Sequence, residues 1–250
     1  MSLTARLSAA VLVTCLGATP VLAQKVEERV DRTLPFRSGG TVRLKTFSGK
    51  VEIRGTDGDQ VVVHAVRRAE AEKLRDITFD IRTEGSAIVI DANHRDGGWR
   101  RNDNVVEADI ELQVPRRTTL DVTTFRAPVT VRGVEGRHDI GGFSSTIRVE
   151  DAVQGLRVKT FSGDVIVAAR SWPDGQDIDV NTFSGGIDLT VPADARGSLA
   201  FNTFSGDLDS DLPIAVSRSR GRRNVEGTLN GGGSSSVRLK TFSGDARVRR

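Results

Sequence analysis

Apolar and polar residues alternate along most of this chain in short arms, and the arms come in pairs joined by one recurrent phrase. The phrase is apolar-x-apolar-x-Thr-Phe-Ser-Gly-x-apolar-x-apolar. It is written seven times: VRLKTFSGKVEI around Phe47, LDVTTFRAPVTV around Phe125, HDIGGFSSTIRV around Phe143, LRVKTFSGDVIV around Phe161, IDVNTFSGGIDL around Phe183, LAFNTFSGDLDS around Phe204 and VRLKTFSGDARV around Phe242. Strict alternation of this kind is the mark of a half-buried strand. The steps between the Phe residues are 78, 18, 18, 22, 21 and 38 residues. A recurrent short step with period-2 arms predicts a stacked array, in which each unit buries its apolar face against its neighbours.

The copy around Phe161 shows how one unit is built. Leu156, Val158 and Thr160 share one parity, whereas Val165 and Val167 share that of Phe161 and Gly163. A slip of one residue turns every later side chain to the opposite face. A bend is therefore expected in Thr-Phe-Ser-Gly, with the slip between Thr160 and Phe161. Gly at the fourth position of five copies suits positive φ, and Ser suits a turn. Stacked in register, the copies form apolar columns such as Leu44, Val122, Ile140, Val158, Val180, Phe201 and Leu239. The columns between them, such as Arg43, Asp121, Asp139, Arg157, Asp179, Ala200 and Arg238, are polar and mixed in sign. The Phe column (Phe47, Phe125, Phe143, Phe161, Phe183, Phe204 and Phe242) is expected as a buried aromatic stack at the corner. The alternative is an outward stripe lying on sugar rings, against which the absence of Tyr and the presence of only two Trp weigh.

Two segments interrupt the repeat. Between the first two copies, Gln60 to Arg68 reads as a strand and Ala69 to Arg75 as a short helical turn. Ile77 to Arg82 and Ala87 to Ala92 form a predicted hairpin about Glu84-Gly85, and Val105 to Val114 a long strand ended by Pro115. This lobe is expected to be antiparallel and to cover the first end of the array. Its polar loop carries Trp99, Arg100 and Arg101, a candidate ligand contact. The second interruption holds the run from Ser217 to Arg223 and then Gly231 to Ser236, a composition that predicts a flexible loop. Arg218, Arg220, Arg222 and Arg223 in that run are a candidate contact for polyanions. At the C-terminus, Arg247, Arg249 and Arg250 are expected to discourage pairing at an open sheet edge.

The whole predicts an all-β chain, a parallel, β-helix-like β-solenoid of about seven Thr-Phe-Ser-Gly rungs with an inserted antiparallel lobe near the N-terminus. Residues 1–23 read as a signal peptide, 24–40 as an N-terminal extension and 41–250 as the solenoid, with 56–117 as the insertion and 210–236 as the basic, Gly/Ser-rich loop. Arg6, the apolar run Leu7 to Leu16 and Val21-Leu22-Ala23 set cleavage after Ala23. Lipidation at Cys15 would cut the apolar run in half, and Thr14 precedes it. The expectation is an exported chain, periplasmic or at the cell surface, not transmembrane after cleavage and free of Cys.

Charge then narrows the partners. The chain holds 36 Lys and Arg against 33 Asp and Glu, a balance that does not describe a general polyanion or nucleic-acid binder. Phosphate loops, nucleophile elbows and dinucleotide fingerprints are absent from the sequence. His64, His94 and His138 lack metal spacing. Asp207, Asp209 and Asp211 alternate, which makes calcium conceivable, but the repeat of calcium β-rolls is missing. No catalytic residue, cofactor or metal ligand is assigned. Asn181 and Asn202 are expected to form a hydrogen-bonded ladder.

The Thr-x-Ser-Gly-Asp core of the repeat, the strand ending in Val114-Pro115 and the closing Leu239 to Asp245 resemble the putative-adhesin family of bacterial envelope β-solenoid proteins, a domain of unknown function. The likeness runs from about Thr41 to Arg249. It differs in placing Phe where small aliphatic residues are common. The resemblance implies a non-catalytic, exported adhesin or structural-interaction module. The alternatives are a glycan- or anionic-lipid-binding module using Trp99 and the Arg218 to Arg223 run, and a β-helix enzyme acting on polysaccharide. The partners this leaves are an envelope glycan, an anionic lipid, another envelope protein, or further copies joined end to end.

Overall fold

The computed structural model describes residues 25–95, 105–219, 221 and 223–250. Strands dominate it, as the alternation requires. The first part contains β1 (Val26–Pro35), β2 (Thr41–Thr46), β3 (Ser48–Thr56), β4 (Gln60–Ala69), the short helix α1 (Ala71–Asp76), β5 (Thr78–Glu84), β6 (Ala87–His94) and β7 (Glu107–Pro115). The chain then runs in pairs: β8 (Thr119–Thr124) with β9 (Val129–Arg132), β10 (His138–Ser144) with β11 (Ile147–Glu150), β12 (Leu156–Ser162) with β13 (Val165–Ala168), β14 (Asp177–Ser184) with β15 (Ile187–Thr190), and β16 (Gly197–Ser205) with β17 (Leu208–Ser210). A hairpin follows, β18 (Ile214–Ser219) and β19 (Asn224–Leu229), and then the pair β20 (Ser236–Ser243) and β21 (Ala246–Arg249).

The first strand of each pair joins one sheet and the second joins another. One sheet has the order β1-β4-β7-β3-β9-β11-β13-β15-β21-β17, the other β18-β19-β16-β20-β14-β12-β10-β8-β2-β6-β5. Within the repeat all neighbours are parallel and in register, for example Leu156 beside His138 and Ile178. The result is a solenoid-like stack whose core lies between the sheets and is filled by the predicted ladders. Leu44, Val122, Ile140, Val158, Val180, Leu239 and Phe201 are all fully or almost fully buried.

Spatial order departs from chain order at the last copy. β20 lies between β14 and β16, and β21 between β15 and β17. Arg247 and Arg249 therefore do not guard an edge. Arg247 lies 3.8 Å from Asp188, and Arg249 lies 3.3 and 3.0 Å from Asp209 and Asp211. Those two carboxylates serve an internal ion pair. Asn181 and Asn202 are likewise not neighbours, because Lys240 separates them.

The expected basic loop also contains more structure than its composition suggested. Residues 214–219 and 224–229 pair antiparallel and extend the sheet beyond β16. The Gly/Ser segment after them is tied down. Asn230 Nδ2 donates to the carbonyls of Ala193 and Ala195, and Ser234 Oγ accepts from the Gly175 N–H.

The inserted lobe is only partly antiparallel. β4–β7 and β5–β6 are antiparallel, as is the pairing of β4 with β1 of the N-terminal extension, but β6 joins β2 and β7 joins β3 in parallel. The physical reason is continuity of the core. Ile88 and Ile90 align with Val42 and Leu44, and Ile110 and Leu112 align with Val51 and Ile53. β6 and β7 thus act as a further unit whose corner is replaced by a longer segment.

Candidate functional site

The corner is where structure and expectation part most clearly. In β12 the burial pattern alternates through Leu156, Val158 and Thr160, all inward, and Phe161 points outward. The slip occurs one step later, in Ser-Gly. Gly163 has φ +129° and Gly185 φ +152°, and a Cβ on either would collide with the carbonyl of the neighbouring unit, that of Ser145 or Gly163. Thr, not Phe, fills the inside of the corner: Thr46, Thr124, Thr160, Thr182, Thr203 and Thr241 are buried. The buried reading of the Phe column is therefore wrong. Phe161 is 47% exposed and Phe204 68% exposed.

Outside, the seven rings form one continuous ladder in the order Phe47, Phe125, Phe143, Phe161, Phe183, Phe242, Phe204. Centroids are 4.6–5.0 Å apart, and apart from the first pair at 21° the planes lie within 2–4° of parallel. The spacing is that of adjacent strands, about 4.8 Å, so the backbone sets it. Each inner ring has both faces covered by its neighbours. What reaches solvent is a ridge of ring edges six steps, or roughly 29 Å, long. A sugar stacks on a ring face, and along the ladder those faces are taken by neighbouring rings, the outer face of the terminal Phe204 excepted.

The columns flanking this ridge differ in charge. Two residues before the Phe stand, in spatial order, Lys45, Thr123, Gly141, Lys159, Asn181, Lys240 and Asn202. It has three cations and no acid. One column further out the charges cancel: Arg43 lies 3.9 Å from Asp121, Arg157 3.8 Å from Asp139, and Arg238 3.9 Å from Asp179. Across the corner the column is Lys50, Pro128, Thr146, Asp164, Gly186, Asp245 and Asp207, linked by backbone hydrogen bonds from unit to unit. Asp164 and Asp245 each accept a backbone N–H, from Gly186 and Asp207.

At its Phe47 end the ridge meets a cavity of about 310 Å³ lined by Lys25, Phe47, Arg68, Lys73, Glu107 and Arg126, among others. Arg126 stands where most copies have Ser, and its guanidinium lies 5.6 Å from the Phe125 ring centroid. Arg68 is already engaged by Asp109 and Glu27, whose hydrogen bonds hold its guanidinium protonated more strongly than usual. The other perturbed groups are ion-pair partners or buried. Lys50 is raised and Glu52 lowered by their mutual hydrogen bond, and Arg116 lowers Asp57. His138 is lowered by burial.

Of the sequence-predicted contacts, only Arg218 and Arg223 fall among the described residues. Arg218 lies on β18, 3.4 Å from Glu226, and Arg223 is exposed beyond it. Arg220, Arg222, Trp99, Arg100 and Arg101 lie outside the described residues. The residues that border the Trp99 segment belong to β6 and the approach to β7, at the opposite end of the stack from β18. Among the described residues no group of three His, Cys, Asp or Glu converges as a metal site. The ridge itself was within reach of the sequence. Phe161 shares the parity of the solvated Arg157 and Lys159 on its own strand, a signal stronger than its parity with the strand beyond the bend.

Comparison with known proteins adds the fold and its family. A family model described as Toastrack DUF4097 matches residues 42–249. No curated protein matches the chain. Among solved structures, a putative cell adhesion protein from Clostridium sporogenes superposes with TM-score 0.54 at 11% identity, over 90% of this chain and 99% of that one. A putative adhesin from Bacteroides fragilis aligns over 88% and 97% of the two chains, with TM-score 0.40 and 14% identity. The first likeness concerns the fold alone, and the second is too distant to carry more. No helix among the described residues is long and apolar enough to cross a membrane.

Proposed function

We propose that this chain, which belongs to the Toastrack DUF4097 family, is a non-catalytic exported envelope protein, an adhesin-type structural-interaction module that makes contact through its Phe ridge. The observation that carries this reading is the ridge itself. Seven Phe edges in one unbroken line form a contiguous apolar patch of about 500 Å², the size of the largest and often functional patch on a monomer. Stacking rewards the ring faces, but the edges left in water add nothing to stability, so their exposure supports a contact role. The repeat supplies what such a role needs, a rigid backbone that holds every ring at fixed spacing. Export with cleavage after Ala23 places the module in the periplasm or at the surface.

Two measurements test the reading. Mass spectrometry of the exported protein should find Gln24 at its N-terminus without lipid. Co-sedimentation with purified cell envelope should fall at least about fivefold in the double variant Phe161→Ser/Phe183→Ser, whose fold should persist because both side chains are outside the core. Undiminished sedimentation by a folded double variant would overturn the ridge as the contact surface.

A further inference from the structure

We infer that the ridge is a self-association surface: two copies of this chain pack ridge to ridge, side by side, with their two-fold axis parallel to the stacking direction. The inference rests on the reading of the ridge as a contact surface and names its occupant. Three observations point to a second copy. The first is pitch. The rings repeat at 4.6–5.0 Å, a spacing that another copy reproduces along the full length, ring against ring.

The second is charge. An isologous interface must be complementary to itself. The ridge has Lys45, Lys159 and Lys240 on one flank and Asp164, Asp245 and Asp207 on the other, all exposed. The three Lys have no ion pair among the described residues, unlike the Arg column beside them. A two-fold axis parallel to the stack exchanges the flanks while keeping each unit level with itself. Lys159 then faces Asp164 of the partner subunit, and Lys240 faces Asp245 of the partner subunit. The antiparallel arrangement would set Lys against Lys and Asp against Asp. At the first unit Lys45 meets Lys50 of the partner subunit, and Glu52, 2.8 Å from Lys50 within its own chain, offsets that pairing.

The third is fit to the alternatives. The half-exposed rings present on the order of 500 Å² of apolar edge, taking roughly 200 Å² for a whole Phe. With both flanks added, the area approaches the roughly 800 Å² per partner of a standard interface, which suits a reversible dimer of micromolar strength. An anionic lipid surface would meet the Asp flank as well as the Lys flank. A glycan would need a line of open ring faces, and the ladder covers those of every inner ring, leaving one at the Phe204 end.

Sedimentation equilibrium of the purified protein tests this. A monomer–dimer equilibrium is expected, with Kd in the micromolar range. Lys159→Glu/Lys240→Glu should weaken it at least about tenfold, because both flanks become acidic. Asp164→Lys/Asp245→Lys should do the same, because both become basic. An equimolar mixture of the two variants should restore association as a heterodimer, since each flank then pairs Glu or Asp with Lys. If loss of the two carboxylate caps unfolds the second variant, as melting curves would reveal, the first variant and Phe161→Ser/Phe183→Ser decide alone.

A protein monomeric up to about 200 µM, or a dimer unmoved by Lys159→Glu/Lys240→Glu, overturns the inference. So does a monomer that binds phosphatidylglycerol vesicles through the ridge. Loss of envelope binding in the ridge variant of a strictly monomeric protein would remove self-association and leave the contact role standing. Dimerisation without envelope binding would do the reverse.

Discussion

Two ladders run the length of this molecule, built at the same spacing and from the same repeat, and they meet opposite surroundings. The inner one, from Leu44 to Phe201, is sealed between the sheets. The outer one, the Phe ridge, has the faces of its inner rings covered and its edges in water. Apolar character alone therefore does not say which side of a strand is the core. Parity does, and the position of the bend decides parity. The inner ladder is a stability device, whose loss leaves cavities. The outer ladder stabilises only through ring-on-ring contact, and its remaining edges serve contacts beyond the chain.

The largest expected effect compares two Phe residues of one strand. Phe201 is fully buried and Phe204 is 68% exposed, both on β16. Phe201→Ala should cost about 3–5 kcal/mol in urea unfolding, the usual range for a core Phe. Phe204→Ala, which loses one stacked neighbour, should cost at most about 1 kcal/mol. Equal costs would erase the distinction between the ladders.

Next comes the corner that separates them. Gly185→Ala brings a Cβ against the Gly163 carbonyl of the adjacent unit in a left-handed backbone. The unit must shift, at an expected cost of about 2–3 kcal/mol. Gly175→Ala, also at positive φ but with nothing within 4 Å of the added Cβ, isolates the backbone cost alone and should be milder. The same thermal melts would read both.

A smaller effect falls on the middle of the ridge. Phe161→Ala removes a ring stacked on both sides, at 5.0 Å from Phe143 and 4.8 Å from Phe183. With half of the ring already in water, about 1–2 kcal/mol is expected. A loss in the core range would mean that the ridge supports the fold and not only its surface.

Much of this was legible in the residues. The alternation located the strands of the repeat, and the apolar columns named the core almost residue by residue. The hairpin about Glu84-Gly85 and the strand from Gln60 were readable from the same signals. Two things were not, and a third, the outward Phe, had a signal that the apolar character of the ring outweighed. The outward Phe depended on whether the slip falls before or after one residue, and Thr at the corner looked too polar for an interior place. The insertion of β20 and β21 between earlier units leaves no mark, because all copies share one motif and any of them fits beside any other. The strands at 214–219 and 224–229 were hidden by Arg, Gly and Ser, residues chosen for an exposed hairpin at the end of a sheet, where tertiary pairing overrides propensity.

The smallest expected effect belongs to the one polar break in the apolar column next to the inner ladder, that of Val42, Leu120, Leu156, Ile178, Val237 and Leu199. His138 stands at the start of β10 between Leu120 and Leu156, with no exposed surface. Its Nε2 lies 3.0 Å from the Val134 carbonyl, an acceptor, so Nε2 donates, while Nδ1 has no partner. Burial pushes the imidazole below its ordinary value of 6.5, against the opposing pull of the Val134 and Arg137 backbone. Because the folded group is the weaker base, the unfolded chain binds more protons once the pH falls below about 6.5. Stability should thus be full above that value, decline as the pH drops, and stop declining on this account once the folded imidazole is itself protonated. One proton limits the slope to about 1.4 kcal/mol per pH unit. His138→Leu, matching its neighbours in the column, should flatten the profile between pH 5 and 7. An unchanged slope in that variant would show that His138 is solvated in the folded chain and that the core is open at the start of β10.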